Sequence, residues 1–262
     1  MAIDAADLMD DDAPIGRLLS RREALAIFGS TAGAALLAAC VPSLLTSPGA
    51  TAASPSGSAT ALLPSCIVRP ALTEGPYFVD EKLNRSEIRS DPATGSVSSG
   101  VPLALSFAVS RVNGNSCTPL EGALVDVWHC DALGIYSDVN DPHGSTVGQK
   151  FLRGYQVTDA NGKAAFTTIY PGWYSGRTVH IHFKIRTDPT AASGTEFTSQ
   201  LFFDDALTDV VHRRDPYASK GPRDTRNAAD GIFGGSGGQL TLAPRQQGDG
   251  YVATFEIGVT AA

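Results

Sequence analysis

The chain has 262 residues, and 42% of them are hydrophobic, which is enough apolar side chain for one large domain or two small ones. Its 27 acidic residues outnumber its 20 lysines and arginines, so the formal net charge is −7. Proteins that bind nucleic acid carry a basic face, and the composition therefore argues against nucleic acid as a partner.

The first 39 residues have the features of an export signal and are left out of the fold prediction. Arg21 and Arg22 stand in the sequence SRREAL, which is typical of the bacterial twin-arginine (Tat) export route. The apolar run that follows is too short and too rich in Ala and Gly to span a membrane. Its end, LAAC at 37–40, resembles a bacterial lipobox and predicts a lipid on the Cys40 thiol. The alternative is a soluble secreted protein whose signal happens to end in cysteine.

Residues 40–64 are rich in Ser, Ala, Thr and Pro. This composition cannot bury enough surface to fold, so we expect a flexible tether, with the folded domain over residues 65–262. Cys66, Cys117 and Cys130 follow the tether, and an exported protein favours disulfides. Three cysteines allow one bridge and one free thiol in any of three pairings, and no CxxC pair points to zinc.

The pattern of the folded part is nearly all strand. Alternation of apolar and polar residues predicts strands at 101–112, 123–130, 151–158, 164–169, 178–187, 197–203 and 251–259. Asn-Gly steps at 113–114 and 161–162 are hairpin signals. Many short strands with polar turns indicate an all-β fold, a β-sandwich. Residues 213–238 are predicted to be a long irregular loop.

The strand at 178–187 carries two histidines on one face. Val179, Ile181, Phe183 and Ile185 alternate with polar residues, so one face packs on a core. His180 and His182 share the other face, about 7 Å apart along the strand. That spacing suits two ligands of one metal ion.

Two tyrosines complete a candidate ligand set. Tyr136 stands just after a Gly turn that ends the strand at 123–130, and Tyr174 precedes the histidine strand. Phenolate is a hard anionic donor with a free pKa of about 10, and a trivalent ion stabilises it by charge. Zinc is normally held by His, Cys or carboxylate instead. The set Tyr136, Tyr174, His180 and His182 therefore favours non-haem Fe(III).

The stretches around these residues share one further feature, their order along the chain. They are TEGPYF at 73–78, WHCDALGIY at 128–136, GYQVTD at 154–159 with FTTIYPGWY at 166–174, RTVHIHF at 177–183 and, more weakly, TSQLFF at 198–203. Together they resemble the intradiol ring-cleavage dioxygenases, the family of catechol and protocatechuate dioxygenases, over roughly residues 66–203. The resemblance implies the family's transthyretin-like β-sandwich.

The resemblance also implies roles for the ligands. Tyr136 and His180 would be equatorial and Tyr174 and His182 axial on Fe(III), with a hydroxide completing the site. Tyr174 would leave the metal when a catechol chelates it. O2 would then cleave the ring between the two hydroxyl-bearing carbons, giving a cis,cis-muconate-type diacid.

Four further residues receive roles from the resemblance. Arg177 would stabilise negative charge on the ring with its fixed guanidinium. Gln200 would help to orient the substrate or a peroxo intermediate, and Pro76 and Tyr77 would line the pocket.

The sequence departs from the family pattern in two places. Only Ser175 and Gly176 separate Tyr174 from Arg177, where the family has a longer loop, so we expect a more open pocket. No counterpart of the family's N-terminal helical dimerisation region is recognisable, which leaves the oligomeric state open.

Simpler interpretations of single residues remain open. Tyr170 is a rival to Tyr174 as ligand, although its position before Pro171 favours a strand-end aromatic residue. His129 is expected to be a hydrogen-bonded structural residue, and His143 and His212 are expected to be solvated.

A non-enzymatic function is also possible. The protein could be a surface-tethered β-sandwich module that binds aromatics or iron without catalysis. Colour separates the two functions, because phenolate on ferric iron absorbs visible light and the metal-free protein does not.

Overall fold

The computed structural model describes residues 67–114, 116–141, 144–187, 195–236 and 238–260. The predicted signal peptide, the tether with Cys40, and Cys66 and His143 lie outside these residues. No helix among the described residues is long and apolar enough to cross a membrane.

Two β-sheets pack face to face, as the sequence predicts. The strands in chain order are β1 (Pro102–Asn113), β2 (Ser116–Pro119), β3 (Leu124–Trp128), β4 (Asn140–Asp141), β5 (Gly144–Ser145), β6 (Arg153–Val157), β7 (Lys163–Ile169), β8 (His180–Arg186), β9 (Glu196–Phe202), β10 (Arg245–Gln247) and β11 (Gly250–Val259). The all-β prediction is confirmed.

The first sheet is organised around its longest strand, β1. One edge of β1 pairs in parallel with β11, which pairs with β10, and the other edge pairs antiparallel with β7 and then β2. The second sheet is antiparallel, in the order β6-β3-β8-β9, and β4 and β5 form a separate small hairpin. A parallel pair such as β1 and β11 needs a long connection, which here contains the whole second sheet.

The core lies between the two sheets and is rich in aromatic rings. Phe107 of β1 is fully buried and lies 5.3 Å from Phe183 of β8 and 6.1 Å from Phe255 of β11, measured between ring centroids. Edge-to-face and tilted contacts of this kind add to the stabilisation that burial provides. These contacts fix β8, and with it the histidines on its opposite face.

Strand β8 is buried on both faces. The alternation predicts one apolar and one polar face, and the apolar side chains do point into the core. The polar face is covered as well, because Trp128, Tyr136 and their neighbours form a second cluster above it. Burial of two histidines in this way requires specific partners for their ring nitrogens.

The prediction of a structureless loop at 213–238 is wrong in part. Helix α1 (Asp205–Val211) precedes this segment, with Asp204 capping the amides of Ala206 and Leu207. Two 3₁₀ turns and helix α2 (Gly231–Ser236) lie within it. These elements are too short to give a clear 3.6-residue pattern in the sequence.

The structure shows whether two of the cysteines are oxidised or free. Cys117 is disulfide-bonded, and its partner lies outside the described residues. Cys130 is a free, buried thiol. The expectation of one bridge and one free thiol leaves Cys130 as the free one.

Candidate metal centre

The two histidines lie in a row of side chains that crosses the second sheet. His182 pairs with Trp128 of β3 on one side and with Gln200 of β9 on the other. The Trp128 ring stacks on the His182 ring at 5.0 Å and 9°. The rings of His180 and His182 are 4.7 Å apart, so the side chains lean towards each other.

Tyr136 is held by the loop that leaves β3. Asp131 Oδ1 accepts hydrogen bonds from the amides of Leu133 and Ile135, at 2.8 and 2.9 Å, which shapes the turn. Thr146 Oγ1 then donates to the carbonyl of Tyr136 at 2.7 Å. The phenol is 2% exposed and faces the histidines. A polar side chain in this position needs a partner of its own.

Two glycines bring the loops of the two tyrosines into backbone contact. Gly134 has φ +83°, and a Cβ there would lie 2.1 Å from the carbonyl oxygen of Trp173. A Cβ on Gly172 would lie 2.4 Å from the carbonyl oxygen of Ala132. Only glycine permits such an approach, and at Gly134 the left-handed conformation requires it as well. The contact places Tyr174 beside Tyr136, with ring centroids 5.7 Å apart.

The donor atoms of the candidate ligands converge. Tyr174 Oη lies 3.1 Å from His180 Nε2, which lies 3.0 Å from His182 Nε2. His180 Nδ1 donates to the carbonyl of Thr178 at 2.7 Å, so its Nε2 carries the lone pair. Tyr136 Oη is buried and has no hydrogen-bond partner of acceptable geometry in the described part of the chain.

This arrangement fits a bound cation better than a hydrogen-bond network. Tyr174 Oη and His182 Nε2 both face the single lone pair of His180 Nε2, and hydrogen bonds cannot satisfy both. Two donors each about 2.1 Å from one ion, at a right angle, are about 3 Å apart, which matches the observed separations. A cation would also satisfy Tyr136 Oη.

Burial sets the ionisation of all four groups. Burial, followed by the charge of the Tyr174 phenol, raises the pKa of Tyr136 far above its usual value, and burial likewise raises the pKa of Tyr174. Burial and Arg177 lower the pKa of His180 to about 3, and burial lowers the pKa of His182 strongly. The imidazoles are therefore neutral, and the phenols stay protonated unless a highly charged cation replaces their protons.

Arg177 lies at the edge of this group and is held on two sides. Its Nη2 donates to Gln200 Oε1 at 2.5 Å, and its Nε donates to Asp230 Oδ2 at 2.9 Å. Gln200 Nε2 in turn donates to the carbonyl of Thr73 at 3.0 Å. The structure thus brings Arg177 and Gln200 together next to His182.

The TEGPYF segment covers the candidate ligands. Tyr77 stacks on Tyr136 with ring centroids 4.4 Å apart and meets Tyr174 edge-on at 6.1 Å. Arg153, itself buried, donates to the carbonyl of Tyr77 at 2.6 Å and fixes the segment. Pro76 is exposed in the turn beside it.

The rival residues are engaged elsewhere. Tyr170 Oη shares a 2.7 Å hydrogen bond with Thr208 Oγ1 and packs with the core, so it is not a member of the ligand group. His129 Nδ1 donates to the carbonyl of Cys130 at 2.8 Å, and its Nε2 accepts from Thr168 Oγ1 at 2.7 Å. His129 is therefore a structural residue, as expected.

The expectation of a solvated His212 is wrong. Its Nε2 donates to the carbonyl of Pro171 at 3.1 Å, and its ring stacks on Tyr217 at 5.0 Å. Helix α1, which the sequence pattern does not reveal, turns this residue back against the domain.

Comparison with known proteins identifies the family. The family model described as Dioxygenase matches residues 73–220, more than half of the chain, and this range includes all four candidate ligands. The chain belongs to the intradiol ring-cleavage dioxygenases. A structure of the intradiol ring-cleavage dioxygenase from Tetranychus urticae is 32% identical, with a TM-score of 0.65, and the match covers 74% of this chain and 95% of that one.

Curated relatives of this intradiol dioxygenase match over shorter stretches. A chlorocatechol 1,2-dioxygenase from a Pseudomonas species is 31% identical over 147 residues, which is 49% of this chain and 54% of the relative. The protocatechuate 3,4-dioxygenase beta chain from Burkholderia cepacia is 33% identical over 122 residues, 43% of this chain and 51% of the relative. The chain spans about half the length of these curated relatives.

The dioxygenase site contains two residues that the sequence analysis missed. Trp128 stacks on His182, and its position directly opposite a histidine in adjacent strands could have signalled this contact. Asp230 binds Arg177 from a segment that the sequence presents as a loop. No local pattern places Asp230 there, because the contact joins residues 53 positions apart.

Proposed function

We propose that this protein uses non-haem Fe(III) and O2 to cleave catechol-type aromatics between the two hydroxyl-bearing carbons, giving cis,cis-muconate-type diacids. The observation that carries the proposal is the convergence of three donor atoms, because Tyr174 Oη lies 3.1 Å from His180 Nε2 and His180 Nε2 lies 3.0 Å from His182 Nε2. Tyr136 Oη lies beside them, close to Tyr174, and makes no hydrogen bond of acceptable geometry among the described residues. Both atoms of O2 enter the two new carboxyl groups, so the reaction needs no other reductant.

Tyr136, Tyr174, His180 and His182 would hold the iron. The ferric ion, when bound, would act as a Lewis acid that draws electron density from the catechol ring and makes a ring carbon reactive towards O2. Two phenolates and the hydroxide would balance the three positive charges of the ferric ion, so the loaded site would be neutral before a catechol binds.

Tyr174 is placed to act as a base. It is the one partly exposed member of the four candidate ligands, so it can move without opening the core. Burial raises its pKa, which means that its phenolate, once released, binds a proton firmly. Tyr174 Oη would take one of the two protons that the catechol loses, and the hydroxide that completes the site would take the other and leave as water.

Arg177 and Gln200 act on the ring. The guanidinium is always charged and is pinned by Gln200 Oε1 and Asp230 Oδ2, so it does not need to reorganise as negative charge develops on the substrate. Gln200 is itself tied to Thr73 O, which makes the pair a fixed electrostatic feature of the pocket.

A visible absorption spectrum tests the proposal. Aerobically purified protein should show a broad phenolate-to-iron band, and catechol added without oxygen should shift it to longer wavelength. Adding oxygen should then release the muconate-type diacid. A protein that stays colourless after reconstitution with ferric iron would refute the proposal and favour a binding module for aromatics.

We also propose that the protein is exported by the Tat route and anchored in the membrane through a lipid on Cys40. The support is the sequence pattern alone, since these residues lie outside the described part of the chain. Metabolic labelling with radioactive palmitate should mark the wild type and not C40S. A wild-type protein found unlabelled in the medium would show that the signal belongs to a soluble secreted form.

A further inference from the structure

A buried carboxylate, Asp230, lies between Arg177 and helix α2. Its side chain is 1% exposed, and its Oδ2 lies 2.9 Å from Arg177 Nε. A carboxylate that is buried this deeply is normally fully paired, and every one of its bonds can be assigned.

The two oxygens of Asp230 serve different parts of the structure. Oδ1 accepts from the amides of Ile232 and Phe233, at 2.9 and 3.0 Å, and so caps the first turn of α2. Oδ2 accepts from Arg177 Nε at 2.9 Å and from the amide of Thr178 at 2.8 Å. One oxygen thus belongs to the helix, and the other belongs to the candidate active site.

The segment around Asp230 holds the short turn between Tyr174 and the histidine strand. Thr178 Oγ1 donates to Asn227 Oδ1 at 2.5 Å, and the amide of Gly176 donates to Asp224 Oδ1 at 3.4 Å. Asn227 Nδ2 donates to the carbonyl of Phe203 at 2.8 Å, which fastens the segment to the end of β9. This turn has only two residues between Tyr174 and Arg177, and residues 224–230 supply the support that a longer loop would otherwise give.

The guanidinium of Arg177 is fixed by its two partners. Asp230 accepts from Nε and Gln200 accepts from Nη2, and two hydrogen bonds to different nitrogens hold the orientation of a planar group. Because a charge stabilises a transition state best when it is already oriented, loss of one partner would reduce its effect even though the charge remains.

We propose that Asp230 is a positioning residue, which orients Arg177 over the bound ring. This inference rests on the proposed function, since it concerns how the same site acts. It also assigns segment 224–230 to the active site, although none of its residues is a candidate ligand.

The exchange D230N separates the two roles of this carboxylate. The Asn side chain keeps an oxygen for the helix cap but replaces Oδ2 by an NH2 group, which cannot accept from Arg177 Nε. The matched control is D249N, which removes the same charge at an exposed turn. We expect D230N to keep the resting colour and to bind catechol without oxygen within a few-fold of the wild type. Its kcat should fall roughly ten- to hundredfold, because the lost effect belongs to the transition state.

A double-mutant cycle shows whether Asp230 acts through Arg177. In an R177Q background, D230N should lower kcat less than twofold, because there is no guanidinium left to orient. An equal loss in both backgrounds would overturn the proposal, as would a D230N enzyme with the kcat of D249N.

Two further measurements test the role of Asp230 independently of its effect on folding and independently of whether the proposed function is right. D230S retains a helix cap through its hydroxyl group, and if both D230N and D230S fail to fold, the residue is structural and the proposal is wrong. A crystal structure of D230N should show the Arg177 guanidinium turned away from Gln200, whether or not the wild type proves to be an active enzyme. An unmoved guanidinium would contradict the proposal.

Discussion

The hydroxyl group of Tyr136 should cost stability in the absence of metal. Tyr136 Oη is buried and has no hydrogen-bond partner of acceptable geometry among the described residues. An unsatisfied buried polar group costs about 1–3 kcal/mol, and Y136F removes this group while leaving the ring in place. We therefore expect Y136F to stabilise the metal-free protein.

The size of the effect follows from the size of the domain. For a domain of this length, each kcal/mol shifts the Tm by roughly 2–4 °C, so the metal-free Y136F protein should melt about 2–12 °C above the wild type. With ferric iron bound the sign should reverse, because the variant loses a ligand and binds the metal that stabilises the fold less tightly. Calorimetry before and after removal of iron with a chelator measures the Tm shift in the iron-bound and the metal-free protein. The visible band should weaken in the iron-loaded variant.

Tyr170 offers the matched control for this exchange. Its Oη shares a 2.7 Å hydrogen bond with Thr208 Oγ1, so Y170F should destabilise the protein by about 1 kcal/mol with or without iron. If metal-free Y136F melts below the wild type, its hydroxyl group has a native partner, and the argument that the site is built for a cation loses its main support.

The remaining predictions concern the core, the tyrosine loops and pH. F107A should lower the free energy of unfolding by about 3–5 kcal/mol, measured by denaturant titration, because Phe107 is fully buried between the sheets. G134A should abolish the visible band, because the added Cβ clashes with Trp173 O. Gly95 has a similar positive φ but open space around it, so G95A should keep the band and lower the free energy of unfolding by only about 1 kcal/mol. Equal effects of the two exchanges would argue against the loop contact. Burial lowers the pKa of His129 to about 4, so the unfolded state binds a proton that the folded state does not, and this residue should cost the metal-free protein up to about 3 kcal/mol as the pH falls from about 6.5 to 4. The lowered pKa values of His180 and His182 add to this loss. A flat stability profile over this range would contradict the assignment of a neutral, buried His129.

Much of the site could be predicted from the sequence because its parts are local. Side chains alternate along a strand, so the sequence places His180 and His182 on one face. The alternation at 101–112 likewise predicts the buried row of β1, which the structure shows. In both segments, the hydrophobic pattern and the tertiary burial agree.

The rest depends on contacts between distant segments. Nothing in the residues near Arg177 indicates that Asp230 will bind it, since the partner comes from a segment without a strand or helix pattern. The same is true of the contact between Gly134 and Trp173 O, where the reason for the glycine lies in another loop. The burial of both faces of β8 could not be predicted either, because a polar strand face is expected to be exposed unless the segment that packs on it is known.

The parallel pairing of β1 with β11 has a consequence for how the protein is made. Leu103 pairs with Tyr251, about 150 residues further along the chain, so the first sheet cannot close until that later strand has left the ribosome. Until then, one edge of β1 has no paired strand and its apolar side chains are incompletely covered, so the growing chain is prone to aggregation. Shielding of β1 during synthesis, as a chaperone provides, would therefore raise the yield of folded protein.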